Sequence, residues 1–230
     1  MKKELLVTKC NHLVEASYKL TLDEQRLLYL TMCQLDPMKP IPKDNYFEIK
    51  SEDFCEVFGT DRRLVYDQMK NASNELAERW IRTHDARCHS KIRWVFGVKY
   101  HDGEGRVTLG FSPPIIPYLT MLKKQFTSLK ISQIAQLKSV YSIRLLEFVM
   151  QFKSTGKFVI SLEKFRDRLG LKNEYSEFFN LRLRVIEPAI TELSKKSDIH
   201  IEWKAVRGKG RKVTGLEFTI KNLPAQKDAD

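Results

Sequence analysis

Phe47-Glu48-Ile49-Lys50-Ser51-Glu52-Asp53-Phe54-Cys55-Glu56-Val57-Phe58-Gly59 is answered, 111 residues later, by Phe158-Val159-Ile160-Ser161-Leu162-Glu163-Lys164-Phe165-Arg166-Asp167-Arg168-Leu169-Gly170. Phe47, Ile49, Glu52, Phe54, Glu56, Phe58 and Gly59 find Phe158, Ile160, Glu163, Phe165, Asp167, Leu169 and Gly170 at the matching places. Each copy opens with apolar–polar alternation, the pattern of a short strand. It continues with helical spacing and ends on a glycine, which stops a helix by entering the left-handed region. A second echo lies upstream, where residues 26–32 match residues 144–150, each starting Arg-Leu-Leu. A repeat with a period near a hundred residues means two related domains, because solenoid repeats run ~20–50 residues.

The 230 residues have room for two such domains, and 42% hydrophobic content supplies ordinary cores. The net charge is +11, with a pI near 9.4. Residues 1–122 hold 18 basic and 17 acidic side chains, leaving +1, whereas residues 123–230 hold 22 and 12, leaving +10. An excess of that sign in the second copy attracts phosphates. Cys10, Cys33, Cys55 and Cys88 form no C-x-x-C pair, which argues against a zinc ribbon or a thioredoxin-like site. No apolar run approaches membrane length and no signal-peptide pattern follows Met1. The expectation is a cytoplasmic protein with no membrane partner and no cofactor.

In the first copy, Thr21 and Glu24 have the spacing of a capping box at the start of a helix. A strand is predicted over residues 46–49 and a short helix after Ser51 as its cap. Gly59 ends that helix, and Thr60 or Asp61 opens a longer one to about Trp80. Val65, Met69, Ala72 and Leu76 recur at four, three and four and form its inward stripe. Residues 92–100 and 107–111 flank Asp102-Gly103-Glu104-Gly105, a hairpin. Helix, strand, helix, turn, helix, hairpin is the winged-helix plan, with a helix-turn-helix inside it. The second copy repeats it: a helix over residues 132–152, a strand at 157–160, a short helix at 162–169, a third helix at 177–195, and a wing around residues 207–212. The fold class is α+β, two tandem winged helices related by duplication. The first spans residues 8–125 and the second residues 126–222. A helical stretch at 118–130 is expected to pack between them, and residues 223–230 form a disordered tail.

The last helix of a helix-turn-helix enters the major groove. In the second copy, Phe179, Leu183, Ile186, Ile190 and Leu193 recur at four, three, four and three and are assigned to the core. That leaves Asn180, Arg182, Arg184 and Glu187 outward. Arg grips guanine O6 and N7, and Asn grips adenine N6 and N7. The wing tip adds Arg207, Lys209, Arg211 and Lys212, interleaved with glycines. The first copy offers Arg62, Arg63, Lys70 and Asn71 on its own reading helix, diluted by Asp61 and Asp67; the same surface would serve dimerisation. Residues 93–100 are strongly β-prone and would serve either as a wing strand or in pairing with another chain. Pro188 falls inside the third helix, removes the bond to the Arg184 carbonyl and predicts a bend.

These residues resemble a known family, the replication initiator (Rep) proteins of iteron-containing bacterial plasmids. The likeness covers residues 8–222. It is carried by residues 137–147, by residues 185–193 with Pro188, by Gly210-Arg211-Lys212, and by residues 11–18 with 25–29. The resemblance implies two winged helices on one repeat of tandem iteron double-stranded DNA, with the recognition arginines at Arg182 and Arg184. It implies monomers that initiate replication and a homodimer, formed mainly through the first domain, that represses the protein's own promoter at an operator. It also implies host chaperones that convert dimers to monomers, and recruitment of the host replication initiator, helicase and primase. Family members often carry another basic residue where Leu181 or Leu183 stands here. Pro188 is common to the family, which favours a functional bend.

Two other readings compete. A tandem winged-helix transcriptional regulator would bind DNA in the same way without initiating replication. A rolling-circle relaxase would need a pair such as H-x-H near a catalytic Tyr, and His12, His84, His89, His101 and His200 contain none. No G-x-x-x-x-G-K-[ST] loop is present. The expectation is a DNA-binding protein, not an enzyme.

Overall fold

The computed structural model describes residues 4–84 and 89–222. The chain divides into two compact units, Met1–Val140 and Tyr141–Asp230.

The first unit starts with β1 (Leu6–Cys10) and a short α1 (Asn11–Glu15). The capping box forms as predicted: Thr21 Oγ1 accepts the Glu24 N–H at 3.3 Å and the Glu24 carboxylate accepts the Thr21 N–H at 2.9 Å. Helix α2 (Leu22–Met32) follows and buries Leu27, Leu28 and Leu30. Strand β2 (Tyr46–Lys50) runs straight into α3 (Ser51–Phe58). Ser51 does not cap it; Ser51 is already helical, and its N–H bonds the Gly105 carbonyl at 2.8 Å, tying the helix to the wing turn. Gly59 stops α3 at φ +66°. A turn carries the chain to α4 (Val65–Ala77), whose inward stripe of Val65, Met69, Ala72 and Leu76 is buried as its spacing predicts.

Two departures follow. Trp80 is not helical but opens β3 (Trp80–His84), which pairs with β4 (His89–Arg93) in a hairpin that the periodicity did not reveal. The strand expected over residues 92–100 breaks at Trp94, whose buried ring meets Tyr18 edge-on at 4.9 Å. The wing proper is β5 (Val95–His101) and β6 (Arg106–Phe111), in a sheet of order β2-β6-β5. Residues 113–118 form a 3-10 turn.

The stretch expected to be helical to residue 130 instead ends in β7 (Phe126–Lys130), paired antiparallel with β1 from Leu6↔Lys130 to Cys10↔Phe126. Ladder hydrogen bonds bind it to the first unit, and the following α5 (Ile131–Ala135) packs against α2 and α3, with the Ile131 N–H bonding the Leu5 carbonyl at 3.0 Å. The boundary therefore lies at Val140 rather than at residue 125. This also redistributes the charge. Residues 123–140 hold four lysines and no acid, so the first unit carries +5 and the second +6.

The second unit opens with α6 (Val140–Gln151), so the single helix predicted over residues 132–152 is two, separated by a turn at 136–139 that buries Leu137. Strand β8 (Lys157–Ser161) leads to α7 (Leu162–Arg168), capped by Ser161 Oγ accepting the Lys164 N–H at 3.2 Å. Gly170 turns the chain at φ +67°, the partner of Gly59. The third helix is α8 (Phe178–Leu181), a π turn at Arg182–Ile186, and α9 (Glu187–Lys196). Strands β9 (Ile199–Arg207) and β10 (Val213–Asn222) make the wing, in a sheet of order β8-β10-β9. That is the connectivity of the first sheet, so the duplication is structural as well as sequential. Stacked phenylalanines hold the core: Phe158 lies 4.9 Å from both Phe152 and Phe218, and Phe165 lies 6.0 Å from Phe218. The buried rings of Phe158, Phe165 and Phe218 each contribute about 1.5–3 kcal/mol.

The repeated arginines share one place. The Arg26 guanidinium lies over the Phe58 ring at 5.1 Å, and Arg144 Nη2 donates to the Arg168 carbonyl at 3.0 Å. Phe58 and Arg168 are the last residues of α3 and α7, where the helix dipole favours a cation. Arg144 also forms a buried pair with Glu147. No helix among the described residues is long and apolar enough to cross a membrane. The tail at 223–230, expected to be disordered, lies outside the described residues, as does Cys88.

Candidate nucleic-acid interface

The third helix of the second unit departs from the sequence expectation at its centre. Pro188 has no N–H, and in a regular helix its ring would press on the Arg184 carbonyl. The helix widens just ahead of it: the Glu187 N–H reaches back five residues to the Arg182 carbonyl. A widened turn shifts the phase of everything N-terminal to it. Leu181 and Val185 are consequently buried, with Ile186, Ala189 and Leu193 continuing the seam. Phe179 and Leu183, assigned to the core on regular spacing, are both exposed. The signal was present in the sequence, since a proline at this position excludes the regular helix that the spacing assumed.

The predicted contact residues separate into free and engaged groups. Asn180 and Arg184 are exposed, and Arg184 has no ion pair among the described residues. Arg182 is half-buried, with Nε 3.5 Å from Glu187 Oε1 and its guanidinium over the Phe179 ring at 5.5 Å. It lies along the helix instead of pointing away from it. Phe178 packs against Trp203 at 6.4 Å and so fixes the start of the helix on β9.

Arg166, missed at the sequence level, holds the approach to this helix. Its guanidinium donates to the carbonyls of Glu174, Tyr175 and Ser176, at 2.9 Å for the first and last. Tyr175 sits at φ +51°, a conformation costly for a non-glycine residue. Three donor contacts on successive carbonyls keep the turn in place.

At the wing tip, Arg207, Lys209, Arg211 and Lys212 are all exposed, and none pairs with an acid among the described residues. The Gly208 N–H bonds the Lys212 carbonyl at 3.1 Å and Arg207 Nη1 bonds the Arg211 carbonyl at 3.0 Å, closing a tight loop. Gly210 takes φ +80° at its apex. Four cations within the six residues 207–212 form a compact cationic surface of the kind that attracts phosphates.

The first unit has the same parts in a different electrostatic state. Arg62 and Arg63, assigned to the reading helix, lie instead in the turn before it, because α4 starts only at Val65; Arg62 and, on the helix, Asn71 are exposed. Arg63 is bound by Asp61, whose Oδ1 accepts its backbone N–H at 2.9 Å and whose Oδ2 lies 3.3 Å from Nη2. Those bonds hold the Asp61 carboxyl below its ordinary range. Lys70 Nζ donates to Asp102 Oδ1 at 3.0 Å, and Tyr66 donates to the same oxygen at 3.1 Å. The hydrogen bond from Lys70, then that from Tyr66, lowers the Asp102 carboxyl, and the same contact raises the Lys70 ammonium. Asp102 belongs to the first wing tip, so an acidic wing occupies the cation of its own reading helix. In the second unit the wing is basic and leaves the helix free. With the overall charges nearly equal, this pairing, rather than net charge, distinguishes the two.

Residues 6–150 match the family described as Initiator Replication protein, WH1, and residues 161–220 match Initiator Rep protein, WH2. A Replication initiation protein of Escherichia coli is 27% identical over 226 residues, covering 94% of this chain and 70% of that protein. A PI protein of Escherichia coli is 25% identical over 252 residues, covering 92% and 82%. The crystal structure of Pi initiator protein in complex with iteron DNA aligns with a TM-score of 0.82 at 22% identity, covering 96% of this chain and 98% of that one. Two duplicated winged helices, each matched by its own half of the family, place this chain in the plasmid Rep family of initiator replication proteins.

Proposed function

We propose that this chain initiates replication of its plasmid by binding repeated iteron sites in the origin duplex, with the second winged helix as the main reader. The observation that carries this is the second unit's exposed surface: Asn180 and Arg184 on the reading helix, with four wing cations of the same unit that pair with no acid among the described residues. The iteron complex of the similar Pi initiator supports the choice of DNA. The first winged helix adds backbone contacts through Arg62, in the turn before α4, and Asn71 on α4, with Arg63 and Lys70, held by Asp61 and Asp102, beside them.

The first unit is also the dimerisation surface of this reading. Its β5 is an edge strand with Phe96 and Tyr100 exposed. An edge of that kind pairs readily with another chain. The monomer acts at iterons, the dimer represses the promoter, and host chaperones, initiator, helicase and primase act on the origin complex.

The test is a plasmid carrying the origin alone, with this gene supplied in trans. Establishment that requires the gene and is lost with Arg184→Ala supports the reading. Promoter repression without any origin dependence would establish instead a tandem winged-helix regulator.

A further inference from the structure

The surface that the second reading helix turns away from its core is apolar at its centre. Buried Leu181 and Val185 define the inward direction. Leu183, midway between them in sequence, stands on the opposite side one turn from Phe179, and exposed Asn180 and Arg184, four residues apart, share the flank beside it. Phe179 is 60% exposed and Leu183 40% exposed. Among the described residues of the second unit, Val159 is the other large apolar side chain left in solvent. Two of the three therefore lie one turn apart on the helix that faces the proposed ligand.

A partner for this surface must be anionic around the rim and apolar at a few points. The DNA major groove has that chemistry: phosphates along its edges, polar base edges on its floor, and one apolar group, the thymine 5-methyl. Phe179 and Leu183 are separated by about 6 Å along the helix, close to the ~6.8 Å of two base-pair steps. A second protein copy would satisfy the apolar pair but would leave Arg184 and the four wing cations without a counter-charge.

We infer that Leu183, with Phe179 beside it, recognises thymine through its 5-methyl group while Arg184 and Asn180 read neighbouring base edges. This rests on the DNA-binding reading above and adds to it two specificity-determining residues that are neither charged nor hydrogen-bonding. Phe179 has a second effect. Its ring holds the Arg182 guanidinium against Glu187, so base reading passes from Arg182 to Arg184 and to the apolar pair.

The experiment uses the full chain. A high-affinity duplex is selected from a random-sequence library, then remade with deoxyuridine in place of each thymidine in turn, which removes only the methyl group. Wild-type affinity should fall about three- to fivefold at one or two positions, the equivalent of one buried methyl. Leu183→Ala and Phe179→Ala keep the fold because both side chains are exposed. Each should bind the thymine and uracil duplexes equally at one of those positions, and Leu183→Met should restore the difference. Uracil tolerated everywhere by the wild type, a selected sequence free of thymine, or unchanged thymine/uracil ratios in both alanine variants would overturn the inference alone. So would a change in self-association by Leu183→Ala without DNA, which would assign this face to a second copy. Failure to enrich any sequence would overturn the DNA-binding reading together with it.

Discussion

Replacing Pro188 with alanine should change what the protein reads without unfolding it. The third helix of the second unit has two candidate inward faces. In the observed register Leu181 and Val185 are buried while Phe179 and Leu183 are exposed. A regular helix carried back from Ile190 and Leu193 would bury Phe179 and Leu183 instead. Each of these side chains contributes about 1.5–3 kcal/mol when buried, so exchanging Leu and Val for Phe and Leu is close to balanced. A proline within a regular helix costs about 3 kcal/mol. That cost decides the register, and the widened turn at Arg182–Ile186 is how the helix avoids it. Pro188→Ala restores an N–H to bond the Arg184 carbonyl and removes the bias. Residues 178–185 can then rotate by about 100°, one residue's worth. Asn180 and Arg184 would then leave the outward positions from which they are proposed to read the groove. Affinity for the selected duplex should drop by about 1–3 kcal/mol, the worth of one bidentate base contact, while thermal stability stays level or rises. Titrations against the selected duplex and its single-base variants, with a melting curve for each protein, decide it. Wild-type affinity and wild-type base preference in Pro188→Ala would refute the reasoning.

Arg184→Ala should cost about 1–3 kcal/mol and relax preference at one base pair. Arg182→Ala, whose side chain is engaged by Glu187 and Phe179, should cost less in the same titrations. Arg211→Ala on the wing should weaken all sequences alike and lower the salt slope by about one, as a lost phosphate contact does; a change in base preference would make the wing the reader. Asp102→Asn should release Lys70 and Tyr66 and raise non-specific DNA affinity, with a salt slope steeper by about one when binding is measured from low to physiological salt.

The duplicated plan was legible because its signals are local. The Phe/Ile alternation, the Thr21–Glu24 capping box and the two stop glycines each dictate structure within a few residues, and all of them appear in the fold. The stripe of α4 was also legible, since no proline interrupts it. What was hidden depends on distant partners. Strand β7 exists because β1 lies beside it, and nothing within residues 126–130 announces a partner more than a hundred residues upstream. The hairpin of β3 and β4 escaped because Trp80 also fits the helix before it. At the site, the wing cations were legible by composition. The outward face of the reading helix was not, because a single proline shifts the phase of every residue before it. The neutralisation of Lys70 was hidden too, since Asp102 reaches it across the fold.

Sequence-specific recognition is proposed to reside in the second winged helix. Two double variants of the full chain test it most directly, titrated against the origin repeats of the plasmid and against unrelated duplex at one salt concentration. Arg184→Ala with Arg211→Ala should reduce the ratio of specific to non-specific affinity by roughly tenfold or more. Arg62→Ala with Lys70→Ala should weaken both duplexes together and leave that ratio within about twofold of wild type. A ratio preserved in the first variant and lost in the second would place base reading in the first domain and contradict the account.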